Sequence, residues 1–509
     1  MFEAALEALV IIFSPQHMIW LLIGVGLGVV LGIIPGLGGL TGMAVLLPLI
    51  IGLPPASAIA MLIGMNAVTT IGDTFPSILM GVPGTAASQA TVVDGYPMAR
   101  KGLGNVALGA SFMANILGGI FGALTLFIMI PIARPLVMAF GSPQLFMLAL
   151  LGMALVATLT KGSLGPALMS ALAGMLLSTV GVAAMTGESR FTGGNFYFYD
   201  GVNLLILAIG MFAIPSVLSL LTEGHAVTKK LEFAKGGVLR GARETLRNPK
   251  ILLGSSALGT ILGFVPGIGG SVIDWIAYGA TKQLARKNRD NFGKGDIRGV
   301  IAPEAANNAK DGGVLIPTLM FGIPGSATSA VLLGGLATMG VATGPTMLRP
   351  ENLYLVLVIV WTLVLANVIG GVICMAMTRP LSKISLLSPY SYGPFLLVIM
   401  FIAAYQAGLQ WGDVVLVVVI GLASWLMQVI KWPRPPFLIG FVLGTGAEKY
   451  LWLSVNRYEW EWLLWPSVMI IGALILLTLV GSLTGFFPKV AARVTGKVQE
   501  MVERRSSRV

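Results

Sequence analysis

The sequence predicts an all-α polytopic membrane protein made of two inverted repeats, each with a re-entrant hairpin and a discontinuous helix, and about 11–12 membrane spans. Three observations carry that prediction. The first is composition: 56% of the 509 residues are hydrophobic and 10% are charged, with a mean hydropathy of +0.89, against about 25% charged in soluble domains. The second is an internal duplication. Pro76 to Ser88 (PSILMGVPGTAAS) returns 241 residues later as Pro317 to Ser329 (PTLMFGIPGSATS), and Gly32 to Gly39 (GIIPGLGG) returns 231 residues later as Gly263 to Gly270 (GFVPGIGG). Ala114 to Gly119 and Arg134-Pro135-Leu136 are answered by Ala366 to Gly371 and Arg379-Pro380-Leu381. The third is that Lys and Arg crowd a few short loops, which marks them as cytoplasmic.

These signals divide the chain into a first membrane repeat (1–228), a cytoplasmic basic linker (229–250), a second, inverted membrane repeat (251–462), and an extra C-terminal span with a cytoplasmic tail (463–509). The hairpin argument starts in the second repeat. The apolar stretch 251–281 is interrupted by Pro266-Gly267-Ile268-Gly269-Gly270 and flanked on both sides by bases: Lys229, Lys230, Lys235, Arg240, Arg243, Arg247 and Lys250 before it, and Lys282, Arg286, Lys287, Arg289, Lys294 and Arg298 after it. Each leg is short of the roughly 20 apolar residues that a span needs, so the stretch enters and leaves on one side. By the repeat, 19–53 forms the matching hairpin, yet its exit at Leu49 to Ser57 carries no charge, which implies the opposite orientation. Spans are expected at 73–98 (broken at Pro83-Gly84), 104–130, 144–160, 163–183 and 201–221. Their partners are 313–340 (broken at Pro324-Gly325), 351–377, 390–408, 413–430 and 436–454, followed by 463–486. In this arrangement the inner side holds both basic loops, Lys161 and the tail from Lys489 to Arg508. The outer segments hold Arg134, Arg190, Arg349 and Arg457. Trp452, Tyr458, Trp460, Trp462 and Trp465 suit an interfacial aromatic belt, and the outer loop 184–200, with Phe196, Tyr197, Phe198 and Tyr199, suits either a protein contact or an interfacial anchor.

Paired Gly/Pro interruptions in two halves of a membrane chain are the sequence pointer to a secondary transporter's binding site. A helix restarting after Pro83-Gly84 or Pro324-Gly325 offers free N–H groups and the positive end of its dipole to an anion. The candidate substrate-binding residues are therefore Gly84, Thr85 and Ser88 in the first half and Gly325, Ser326 and Ser329 in the second. The hairpin tips add Gly36, Gly38, Gly39 and Thr41, and Gly267, Gly269, Gly270 and Ser271, where glycine lets backbone approach a ligand. Asn66, Asn307 and Asn308 are candidate ligands for a coupling ion, with sodium or a proton as the only cofactor expected. Asp73, Asp274, Glu304, Lys310 and Asp311 lie near the breaks, where an ionisable group is costly and marks function unless paired, as Lys310 and Asp311 would be. Gly24, Gly26 and Gly28 read as helix packing. The lone Cys374 reads as a packing residue, and His17 and His225 stand too far apart for a metal site or a triad. Without a P-loop or a paired nucleophile and base, neither ATP hydrolysis nor enzymatic catalysis is expected. The net charge of +11 is concentrated in cytoplasmic loops and points to no nucleic acid. The acidic start, Met1 to Glu7, is unlike a cleavable signal.

The runs Pro35 to Gly39, Asp94-Gly95-Tyr96-Pro97-Met98-Ala99-Arg100-Lys101-Gly102, Ala302-Pro303-Glu304-Ala305-Ala306-Asn307-Asn308-Ala309 and Gly322 to Ala327 resemble the large membrane subunit of tripartite tricarboxylate transporters (TctA) over nearly the whole chain. The resemblance implies an ion-coupled importer of organic carboxylates in the bacterial inner membrane. It also implies a small membrane subunit (TctB-like) and a periplasmic solute-binding protein (TctC-like). Ile71-Gly72-Asp73-Thr74-Phe75-Pro76 departs from the family's commoner Tyr-Gly-Gly-Ser-type wording. The alternative from another class is an anion or ion channel that uses the same half-helix ends.

Overall fold

The computed structural model describes residues 2–159, 164–183, 185–223, 236–285, 288–341, 343–384 and 389–484. The first half runs through α1 (Phe2–Ile12), α2 (Pro15–Ile33), α3 (Gly39–Leu46), α4 (Pro55–Gly72), α5 (Thr74–Leu79), α6 (Gln89–Arg100), α7 (Gly104–Met138), α8 (Ser142–Leu159), α9 (Leu164–Leu177), α10 (Leu204–Ala208) and α11 (Ile214–Glu223). The second half has α12 (Gly237–Arg247), α13 (Pro249–Gly263), α14 (Gly270–Leu284), α15 (Arg298–Phe321), α16 (Ala327–Thr338), α17 (Leu353–Ala376), α18 (Thr378–Ile384), α19 (Pro389–Gly408), α20 (Trp411–Val429), α21 (Pro435–Tyr458) and α22 (Pro466–Leu483). A two-stranded ribbon, β1 (Gly181–Val182) and β2 (Ser189–Arg190), is the one sheet among the described residues.

Seven helical runs among the described residues are long and apolar enough to cross a membrane: Pro15–Ile33, Pro55–Leu79, Gly104–Met138, Ser142–Leu159, Leu353–Ala376, Trp411–Val429 and Pro466–Leu483. The protein is a multi-pass, all-helical membrane protein.

The duplication is legible in backbone packing. Gly28 and Gly32 of α2 lie on the carbonyls of Met65 and Thr69 of α4, so that a Cβ there would come within 2.5 and 2.4 Å of oxygen. Gly259 and Gly263 of α13 lie in the same way on the carbonyls of Ala306 and Lys310 of α15, at 2.3 and 2.6 Å. These rows are helix-packing glycines of the small-residue kind, and Gly24 joins them against Met61 while Gly26 faces open space. The halves also cross over. Gly118 and Gly122 of α7 pack on Ala305 and Ala309 of α15, and Gly370 of α17 packs on Val68 of α4.

Several boundaries differ from expectation for physical reasons. The helix that leads into each break begins at Pro55 and Arg298 rather than at 73 and 313, because both helices absorb polar residues that the sequence suggested as span ends. The first leg of the first hairpin, α2, has 19 residues and is long enough to cross, whereas α13 and α14 have 15 each. Residues 237–247 of the basic linker form an amphipathic helix docked on α7, where Gly241 meets the Val106 carbonyl and the Thr245 hydroxyl donates to the Ala110 carbonyl at 2.8 Å. Lys161, Lys229, Lys230, Lys235, Arg286, Lys287 and the tail from Lys489 to Arg508 lie outside the described residues. Trp462 is not a belt residue: it is fully buried, edge-on to Phe146 at 5.8 Å. Trp460, by contrast, is 62% exposed. Cys374 is buried, as expected of a packing residue.

Candidate functional site

Each hairpin tip is pinned to the break of its own half by the same hydrogen bond. The Gly36 N–H donates to the Gly84 carbonyl at 2.9 Å, and the Gly267 N–H to the Gly325 carbonyl at 3.1 Å. Both donors sit at positive φ, +84° and +91°, which glycine adopts without strain. The breaks share a framework as well. Gly81 and Gly322 turn the chain at φ +73° and +71°. The Gly84 and Gly325 N–H groups donate to the hydroxyls of Ser77 and Thr318, at 3.1 and 3.3 Å. The Thr85 and Ser326 N–H groups donate to Ser88 Oγ and Ser329 Oγ, at 3.1 and 2.8 Å.

Tips and breaks surround a cavity of about 330 Å³. Of the residues expected to bind substrate, Gly38, Gly39, Thr85, Gly269, Gly270, Ser271, Ser326 and Ser329 line it. Gly36, Gly84, Gly267 and Gly325 stand behind the wall as the tip-to-break hydrogen bonds. Thr41 donates to Ser216 at 3.2 Å, and Ser88 is buried between Ser77 and Thr85. Among the residues expected to hold a coupling ion, Asn66 lines the cavity. Asn307 accepts from Lys310 Nζ at 2.6 Å. Asn308 joins the halves by accepting from Thr70 at 2.9 Å and donating to Asn367 at 2.6 Å.

The anion-binding features are arranged differently from the sequence expectation. In the second half, α16 starts at Ala327 with Ser326 as its N-cap, and Ser326 and Ser329 cap one another reciprocally, occupying two of the N–H groups at that end. In the first half, α6 does not start until Gln89, so Thr85 lies in the preceding loop and its hydroxyl donates to Asp73 Oδ2 at 2.5 Å. The start of α6 at Ser88 has no side-chain cap, and neither do the starts of α3 at Gly38 and α14 at Gly269, which lie in the cavity wall. The first N–H groups of α3 and α14 are the open backbone donors there. Lys310 adds a positive charge to the wall, held by the Asn307 carbonyl at 2.8 Å and by Asp311 Oδ1 at 3.3 Å.

Two buried carboxylates tie the halves together away from the cavity. Glu304 of α15 accepts from Thr91 of α6, and from Ser111 and Asn115 of α7 at 3.0 and 2.8 Å. Asp94 of α6 accepts the N–H groups of Gly293, Gly295 and Asp296, each at 2.8 Å, and the Tyr278 hydroxyl at 2.9 Å. No residue pattern singles out Asp94 for this role, because its partners are mostly backbone amides some 200 residues away. In the loop 185–200, Arg190 pairs with Glu448 at 2.7 and 3.1 Å, and that carboxylate raises the Arg190 pKa. The Tyr197 hydroxyl donates to Asp413 at 2.7 Å, and burial with Asp413 raises its pKa too. Phe191 and Phe196 are left exposed.

The cavity is thus built from paired helix breaks and tips of both halves. The model of the tripartite tricarboxylate transporter TctA family matches residues 18–439. The chain belongs to that family. It is 31% identical over 448 residues, 86% of this chain and 87% of the relative, to an uncharacterized 52.8 kDa protein in the TAR-I ttuC' 3' region of Agrobacterium vitis. A second Agrobacterium vitis protein, from the TAR-II ttuC' 3' region, is 29% identical over 197 residues, 38% of this chain and 79% of the relative. No solved structure matches the chain. TctA proteins are transporter components rather than enzymes, and the family implies a small membrane partner and a periplasmic binding partner.

Proposed function

We propose that this chain is the large permease subunit of a secondary transporter of the bacterial inner membrane. It imports organic carboxylates, tricarboxylate-like in size and charge, that a periplasmic solute-binding protein delivers. A small membrane subunit completes the assembly, and a sodium or proton gradient drives uptake. The observation that carries this reading is the cavity of about 330 Å³, where two uncapped helix N-termini, Lys310 and the serines and threonine of both breaks converge. Backbone N–H groups and an ammonium suit a carboxylate, and the pairing of every break with a tip suits gates that alternate.

The test is uptake by proteoliposomes that contain this chain and its small partner, supplied with loaded binding protein and a panel of carboxylates under separate sodium and proton gradients. Accumulation against the carboxylate's own gradient is expected. Flux that only follows that gradient would favour the channel reading. The inverted arrangement has its own test. Cysteines placed at Arg240 and Lys294 should be shielded from an impermeant thiol reagent added outside, while one at Ser189 reacts, and buried Cys374 keeps the background low. Labelling of position 294 from outside would make 251–281 a true span.

A further inference from the structure

Asp73 is fully buried at the end of α4, and its two carboxylate oxygens are treated differently. Oδ2 accepts the Thr85 hydroxyl at 2.5 Å, while Oδ1 is buried with no hydrogen-bond partner among the described residues. Thr85 is itself a wall residue of the cavity, so one hydroxyl separates a buried carboxylate from the space offered to substrate. We propose that Asp73 is a proton-binding site and that Thr85 relays its protonation state to the cavity, which makes carboxylate binding proton-linked; the proposal rests on the carboxylate reading of that cavity.

The argument is one of hydrogen-bond capacity. A threonine hydroxyl has a single proton to donate. With Asp73 ionised, that proton is committed to Oδ2, one Thr85 lone pair takes the Ala87 N–H at 3.3 Å, and the other faces the cavity backed by a buried negative charge. That lone pair and the charge both repel an incoming carboxylate. When a proton from bulk water binds Asp73 at Oδ2, the direction reverses: Oδ2–H donates to Thr85 Oγ1, and the threonine proton is free to turn to the substrate. No other bond forms or breaks, and the proton leaves for water when the anion does. A proton suits the site better than sodium, which needs several oxygen ligands. The nearby carbonyls are engaged, Asp73 O by the Ser77 hydroxyl at 2.7 Å and Gly84 O by the Gly36 N–H. The Gly84 backbone also presses so closely that a Cβ there would lie 2.6 Å from Asp73 Cβ.

The charged groups that act on Asp73 are Glu304 and Lys310 of α15 and Asp274 of α14. Asp311, beside Lys310, acts on Asp274 in turn. The titratable residues of α2 and α7 are His17, bonded to Thr362, and Arg134 in the last turns of α7. None of these contacts Thr85 with a hydrogen bond, so the relay runs through Asp73. The second half lacks the device, since Val314 stands at the matching position, 241 residues on.

The experiment uses the full chain in lipid nanodiscs with isotopically labelled citrate as the probe, comparing wild type, Asp73→Asn, Thr85→Val and Thr85→Ser. Between about pH 8 and about pH 7, one linked proton tightens citrate binding by up to about tenfold in wild type and Thr85→Ser. In Asp73→Asn and Thr85→Val the affinity stays flat. Infrared difference spectra should show a buried carboxylic-acid carbonyl band appearing on citrate addition in wild type and missing in Asp73→Asn. Equal pH dependence and equal bands in wild type and Asp73→Asn would overturn the proposal. If Asp73→Asn does not fold, Thr85→Val decides, and a pH-linked affinity like that of wild type overturns the relay. If wild type binds no citrate, the tricarboxylate reading of the cavity fails by itself. The proton site is then read from pH-jump spectra without substrate, in which an acid band confined to proteins that retain Asp73 sustains it and the absence of any such band overturns it.

Discussion

The two breaks share one backbone and differ in what they carry. Ser77 and Thr318, Gly84 and Gly325, and Ser88 and Ser329 make the same hydrogen bonds. At the charged positions the halves diverge: at the 241-residue offset Asp73 corresponds to Val314, while Thr69, Thr70 and Ile63 correspond to Lys310, Asp311 and Glu304. Duplication preserved the geometry that holds a tip against a break, and divergence placed a carboxylate beneath the first break and an ammonium in the cavity wall. Repeat symmetry in such a chain describes the scaffold, and the chemistry has to be read where the symmetry is broken.

The largest expected effect comes from the broken charge positions. Replacing Lys310 with Met leaves Asp311 buried without its ion pair and Asn307 without its donor. That should cost roughly 3 kcal/mol of stability and strip the cavity of its positive charge. The matching change, Thr69→Ala, removes one hydroxyl bond to the Met65 carbonyl and should cost about 1 kcal/mol. Thermal unfolding in detergent measures both. Equal losses would mean that Lys310 is a surface charge in energetic terms.

A smaller difference should separate the two break glycines, which sequence reasoning treats as equivalent. A Cβ on Gly84 would meet Asp73 Cβ at 2.6 Å and the Asp73 carbonyl at 2.7 Å, whereas on Gly325 the nearest atom is Val314 Cγ1 at 3.2 Å. Gly84→Ala should thus destabilise by about 1–3 kcal/mol, and Gly325→Ala by clearly less, because a valine methyl yields more easily than backbone. Matching unfolding curves for the two variants would show that the first break is looser than this packing requires.

Much of this was legible in the sequence, and the exceptions have a common cause. The breaks, the tips, the packing role of Gly28 and the pairing of Lys310 with Asp311 follow from residue type and spacing. The starts of the broken helices at Pro55 and Arg298 did not, because Asp73, Lys310 and Asp311 resemble span ends until one knows that each is sheltered by a neighbouring helix. Helix α12 was hidden by its bases, which sit on one face while Gly237 and Gly241 press against α7. The different restarts after the two breaks were also hidden. Thr85 and Ser326 are chemically alike, and only Asp73, twelve residues upstream of Thr85, draws the threonine hydroxyl away from capping.

That divergence supplies the smallest and most discriminating test. Ser326→Ala removes the N-cap of α16, which should cost about 1 kcal/mol of stability. It should change substrate affinity little, because the Ser326 hydroxyl is already engaged with Ser329 at 3.1 Å. Thr85→Ala removes a hydroxyl that caps no helix but links Asp73 to the cavity, so its effect should appear in affinity, at about 0.5–1.5 kcal/mol or slightly more for a charge-assisted bond. The measurements are half-saturating carboxylate in uptake assays and unfolding temperature, made on the same preparations. If Ser326→Ala weakens substrate binding as much as Thr85→Ala does, the reciprocal cap opens when substrate arrives, and the two breaks act as equals in the loaded protein despite their difference in the empty one.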